Sequence, residues 1–137
     1  MEFHIKELSV MNGTNVVFDT CAIVKLLDQQ YDLLSLGINI DEAQLFTSVI
    51  VRMEALSKRD ILYEEEQDIR GFLEDLTVIP INEVIEQKAI ELRRNTKLKL
   101  PDCIIAATAI ILDAVLLTDD DDMLKLSLPG LKTQNIF

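Results

Sequence analysis

A single histidine, two cysteines and no tryptophan leave several chemistries without their residues. His4 alone cannot build a histidine-based zinc site, and Cys21 and Cys103 can make at most one bridge, too few for a small secreted scaffold. Both cysteines are expected to be reduced, buried small hydrophobes. Proline and glycine are also sparse, at three and four residues, so no linker or low-complexity tract divides the chain. No apolar run approaches the roughly eighteen residues of a membrane span, and the opening Met1-Glu2-Phe3-His4-Ile5-Lys6-Glu7-Leu8 lacks the pattern of a secretory signal. A cytoplasmic location with no membrane partner is expected. Positive charge is scarce as well: 13 Lys and Arg face 24 Asp and Glu, a net charge of −11 that weighs against general adhesion to nucleic acid or anionic lipid.

What remains is hydrophobic material, 49% of 137 residues, enough for one core in one domain spanning residues 1–137. Residues 1–13 read as an N-terminal extension closed by the turn Met11-Asn12-Gly13. The most strongly specified stretch is Leu100-Pro101-Asp102-Cys103-Ile104-Ile105-Ala106-Ala107-Thr108-Ala109-Ile110-Ile111-Leu112. A proline at the first helical position starts a helix at Pro101 and fixes Asp102 in its first turn, where a carboxylate faces the macrodipole favourably. Beyond Asp102 the segment is apolar all round, as in a helix packed on both sides.

Short apolar runs at residues 15–18, 44–47, 77–80 and 114–118 read as strands, and residues 131–137 can add a fifth at a sheet edge. Between them lie helices at residues 20–28, 64–76 and 83–96, a loop-rich, partly helical stretch at residues 31–40, and a helix after Ser48. In this last helix Val49, Ile50, Met53 and Leu56 recur at helical spacing. Val84, Ile85, Ala89, Ile90 and Leu92 are expected to face inward from the 83–96 helix, and residues 123–126 to form a further turn. Alternating strands and helices imply crossover units: an α/β three-layer sandwich around a central, mostly parallel sheet of about five strands.

The acids fall at telling places. Asp19 and the run Asp119-Asp120-Asp121-Asp122 follow strand ends, while Glu54 and Asp102 lie on helices that follow loops. Ligands of an open parallel sheet bind outside its carboxyl edge, so four acids from four segments can converge there. Each alone has an ordinary explanation: a helix cap, a wet charge run or a solvated rim. Together they would repel unless a cation sat among them, and an oxygen-only set suits Mg2+ or Mn2+ better than zinc.

Phe18-Asp19-Thr20, Glu54, Leu100-Pro101-Asp102 with Ala106-Ala107, and Leu116-Leu117-Thr118-Asp119-Asp120 together resemble the PIN domain, more narrowly the VapC-type toxin ribonucleases of toxin–antitoxin pairs. The likeness runs from about Val16 to the C-terminus. It implies that Asp19, Glu54, Asp102 and Asp120 are the catalytic, metal-binding acids, with Thr118 as the supporting hydroxyl and Asp119 and Asp122 near enough to assist or replace the fourth. Two departures stand out. Cys21 occupies a position where Asn or Ser is usual, and Asp119 puts negative charge where a neutral or basic residue is usual.

The implied activity is Mg2+- or Mn2+-dependent endoribonucleolytic cleavage by activated water, in a homodimer that an antitoxin protein neutralises. Arg93, Arg94, Lys97 and Lys99 lie in a stretch with no negative charge, and Arg52, with Lys58 and Arg59, flanks Glu54. These are the candidates for the RNA track. The alternatives are a non-catalytic PIN-like module that binds RNA or protein, and a phosphate-receiving receiver or phosphatase. The phosphatase needs a second Asp at the position of Cys21, and the receiver needs a late lysine that the strand ends do not supply. A calcium loop fails for want of glycine at Leu124.

Overall fold

The structure is a computed structural model that describes residues 15–28 and 42–136. The N-terminal extension and the partly helical stretch at residues 31–40 lie outside the described residues. Among the described residues, five strands, β1 (Asn15–Phe18), β2 (Gln44–Ser48), β3 (Thr77–Ile79), β4 (Ala114–Thr118) and β5 (Lys132–Asn135), alternate with six helices. The helices are α1 (Thr20–Asp28), α2 (Val49–Leu56), α3 (Tyr63–Glu74), α4 (Glu83–Asn95), α5 (Leu100–Ile111) and α6 (Asp121–Leu124).

All strand pairs are parallel and the sheet order is β3-β2-β1-β4-β5. The chain winds outward from β1 through β2 to β3, then crosses to β4 and β5 on the other side. Right-handed crossovers therefore place the helices before β3 on one face and α4 and α5 on the other. The packing agrees: α1, α2 and α3 touch one another, while α4 packs on α5 and α5 lies on β1, β2 and β4. The winding direction changes between β1 and β4, which opens a crevice at their carboxyl ends.

Central strands buried on both faces must be apolar throughout. Val16, Val17, Phe18, Leu116 and Leu117 meet that demand and are fully or almost fully buried. The Phe18 ring meets Phe72 of α3 edge-on at 5.6 Å. Ala106, Ala107 and Ala109 are fully buried, so α5 approaches the sheet closely with its smallest residues inward. It starts one residue earlier than expected, at Leu100, with Pro101 in its first turn. Asp113 at φ 51°, tolerable for a short polar side chain, ends it and turns the chain into β4.

Two helix faces differ from expectation. In α2 the buried residues are Val51 and Ala55, whereas Met53 is 56% exposed. In α4 the inward stripe is Ile85, Ala89 and Leu92, and Val84 (58%) and Ile90 (36%) are exposed. α6 forms at Asp121–Leu124, earlier than residues 123–126, because Asp120 caps it by accepting from the Asp122 N–H at 2.9 Å.

Close packing on α5 leaves no room for larger side chains. Ala106→Leu is expected to destabilise the fold by about 1–3 kcal/mol, read as a lower midpoint in urea with an unchanged slope.

Candidate active site

Asp19 follows β1 directly. Its N–H donates to the Leu117 carbonyl at 3.0 Å, extending the β1–β4 pairing past the strand end and pulling its side chain into the crevice. Only 5% of the residue is exposed. A carboxylate so buried needs donors, and it has them: Oδ1 accepts from the Thr20 N–H at 2.7 Å, and Oδ2 accepts from the Thr118 hydroxyl at 2.7 Å. Burial still dominates and holds the Asp19 carboxyl above its ordinary pKa, although the Thr118, Thr20 and Cys21 bonds oppose the shift.

Thr118 works in two directions. While it donates to Asp19, its oxygen accepts from the Asp120 N–H at 3.0 Å, which sets the chain leaving β4. Cys21, the second residue of α1, closes the same corner. Its sulfur lies 3.6 Å from Asp19 Oδ2 and 3.4 Å from Thr118 Oγ1, and accepts from the Asp119 N–H at 3.4 Å. Thus the cysteine makes hydrogen-bonding contacts to Asp19, Thr118 and Asp119 at this corner. Burial first, then the Asp19 charge, pushes the thiol up to about 12, so it stays protonated.

Glu54 reaches the crevice from the last turn of α2. It is exposed, and its Oε1 accepts from the Thr20 hydroxyl at 2.8 Å. Asp102 enters from the first turn of α5 on the opposite face of the sheet. Its carboxyl is pushed up to about 6, by burial first and then by the charges of Asp19, Asp120 and Glu54, with Lys99 opposing. That shift is the electrostatic signature of convergence, since three acids from three other segments are near enough to disfavour a fourth charge.

The structure therefore brings Asp19, Glu54, Asp102, Asp119 and Asp120 to the walls of one cavity of about 350 Å³, together with Thr20 and Cys21. Asp119 differs from the rest. Its contact with Cys21 first, and then an ion pair with Lys25 of α1, hold its carboxyl below the usual range. The negative charge expected to repel a substrate is thus largely neutralised. Lys25 has no signal in the sequence, because the pair exists only where α1 passes the end of β4.

Asp122 does not line this cavity. It lines a neighbouring one of about 470 Å³ with Lys97, Lys99 and Leu126, and the two cavities share Asp102 and Asp120. The basic candidates separate accordingly. Lys97 and Lys99 adjoin the acids, whereas Arg94 lines a separate groove along α4 with Val84, Ile90 and Ile111. Arg52, Arg59 and Arg93 are exposed, and Lys58 bonds Glu65 at 3.2 Å.

Hard carboxylate oxygens are the right donors for a small divalent cation. Among the described residues, however, no three His, Cys, Asp or Glu side chains are drawn together tightly enough to form a ready coordination set. Among the same residues, no helix is long and apolar enough to cross a membrane.

The Asp102 shift has a consequence for stability. The folded state holds this proton more tightly than the unfolded chain, so the contribution of Asp102 to stability is fully present below about pH 4 and is lost as pH rises through 6. At pH 7.5 Asp102→Asn is expected to raise stability by about 1 kcal/mol, a value reduced for the solvent that screens this half-buried group. Thermal melts of both proteins from pH 4 to 8 check this: the gap should shrink toward pH 4.

Comparison with known proteins follows the same lines. The PIN domain family matches residues 16–128. Among solved structures, the chain is 30% identical to a toxin–antitoxin complex from Klebsiella pneumoniae, with TM-score 0.65 over 85% of this chain and 94% of that one. VapBC2 from Rickettsia felis, bound to a DNA fragment from its promoter, superposes with TM-score 0.77 at 22% identity, covering 89% of this chain and 98% of that one. VapBC-1 from nontypeable Haemophilus influenzae gives TM-score 0.74 at 21% identity over the same shares of the two chains, 89% and 98%. A search of curated proteins found no match. With the family match spanning most of the chain, and with the fold and topology above, this protein belongs to the PIN domain family.

Proposed function

We propose that the chain is the toxin of a toxin–antitoxin pair and acts as a divalent-metal-dependent endoribonuclease. The observation that carries this reading is the convergence of Asp19, Glu54, Asp102 and Asp120, from four segments, on one cavity at the carboxyl edge of the sheet. A binding-only role is disfavoured by the same cavity, because a groove that merely held RNA would gain nothing from unneutralised carboxylates.

Asp19, Asp102 and Asp120 are the residues that would hold Mg2+ or Mn2+, with Glu54 at the margin. Such an ion, when bound, supplies a Lewis acid that activates water and neutralises charge on the leaving oxygen. Thr118 keeps Asp19 Oδ2 aimed and fixes the backbone of Asp120, so two of the three proposed ligands depend on one hydroxyl. Glu54 has Oε1 engaged by Thr20, which orients Oε2 to accept a proton from the attacking water. Lys97 and Lys99, in the adjoining cavity, hold the phosphate backbone beside the acids. Water attacks phosphorus, the 3′ oxygen leaves, and the products carry a 5′ phosphate and a 3′ hydroxyl with no role for the 2′ hydroxyl.

The partner in this reading is a small antitoxin protein, supported by the toxin–antitoxin complexes the fold matches. The active form is a cytoplasmic homodimer.

Incubation of purified protein with single-stranded RNA is expected to give Mn2+- or Mg2+-dependent cleavage that EDTA abolishes. Asp19→Asn and Asp102→Asn should each lower the rate at least 100-fold, and Asp102→Asn should melt at or above the wild-type temperature. Equal cleavage by all three proteins would refute the assignment. Replacing Lys97 and Lys99 by Glu should raise KM several-fold and flatten its dependence on salt, measured between about 50 and 200 mM.

A further inference from the structure

The cavity beside the acids has a composition that phosphate binding does not explain. Lys97 and Lys99 border it from the α4–α5 loop, and the half-buried Leu126 gives it an apolar wall. Asp122 contributes an exposed carboxylate whose oxygens have no hydrogen-bond partner among the described residues, while its N–H is committed to Asp120. At about 470 Å³ it is within the range of small-ligand clefts, roughly 300–1,000 Å³.

The two lysines answer for the phosphate backbone, but Asp122 and the apolar wall of Leu126 do not. A flat, partly apolar ring with hydrogen-bond donors on one edge suits the Asp122 carboxylate and the Leu126 wall together. Single-stranded RNA offers such groups, since unstacked bases are read along their Watson–Crick edges. A carboxylate accepts best from two adjacent N–H groups, and among the four RNA bases guanine alone presents an imino and an amino donor side by side. Because Asp102 and Asp120 also line the acid cavity, a base seated here belongs to the nucleotide next to the scissile phosphate.

We propose that the cavity lined by Lys97, Lys99, Asp122 and Leu126 is a base subsite, and that Asp122 makes it select guanine. The placement beside the scissile bond rests on the nuclease reading above; the base preference does not.

The test separates the two. Full-length protein in metal-free buffer is titrated with four U-rich pentanucleotides that carry G, A, C or U at the centre, and amide chemical shifts are followed. The G-containing strand should bind at least 5-fold tighter than the others and shift the amides of Lys97, Lys99 and Leu126. In Asp122→Asn that advantage should fall below 2-fold, whereas Lys97→Ala should weaken all four strands alike. Equal affinities, absence of binding, or a guanine preference that survives Asp122→Asn overturns the subsite. Incubating the same strands with Mn2+ judges the nuclease reading on its own. Guanine-selective binding without cleavage keeps the subsite and removes the nuclease, and cleavage indifferent to the central base does the reverse.

Discussion

The hydroxyl of Thr118, donated to the buried carboxylate of Asp19, is the bond on which the candidate site depends. It joins the ends of the two strands between which the winding direction changes, and it does so at a residue that is fully buried. Without a donor there, a carboxylate only 5% exposed would lose much of its compensation for leaving water. The same oxygen accepts from Asp120, so the geometry of one acid is inherited by another. Cys21 and the Lys25–Asp119 pair brace this corner from α1, which ties the acids to rigid elements on both sides of the β1–β4 junction.

The arrangement is a compromise between stability and chemistry. Burying a carboxylate among other carboxylates costs stability at neutral pH: burial first, then the charges of Asp19, Asp120 and Glu54, raise the Asp102 carboxyl to about 6, and the apolar core beneath must offset that cost. Ala106, Ala107 and Ala109 matter here because they let α5 lie against the sheet, and the position of α5 decides where Asp102 falls. The distribution of charge resolves a conflict in an acidic protein expected to meet RNA. Asp119 is neutralised locally by Lys25, and Lys97 and Lys99 adjoin the acids while Arg94 turns to another groove.

Much of this was legible in the sequence, for identifiable reasons. Strands buried on both faces must be unbroken apolar runs, so β1 and β4 could be placed to the residue, and the acids at their ends followed. Pro101 announced α5 for the same kind of local reason. The inward face of α2 was misplaced because Val49, Ile50, Val51, Met53, Ala55 and Leu56 surround the helix with apolar side chains, and spacing then selects no side. In α4, Val84 and Ile90 obey helical periodicity yet stay exposed, since α5 covers only the stripe of Ile85, Ala89 and Leu92. Lys25, and the place of Asp122 in the neighbouring cavity, depend on how distant segments pass one another, which no local pattern encodes.

The central claim is that carboxylates from four segments act as one cation site. Titration of the full-length protein with Mn2+, followed by electron paramagnetic resonance of the free ion, tests it most directly. Saturable binding of one or two ions per chain, lost or weakened at least 10-fold in Asp19→Asn and in Asp120→Asn, is the predicted result. No saturable binding, or binding that both variants retain unchanged, would contradict the account.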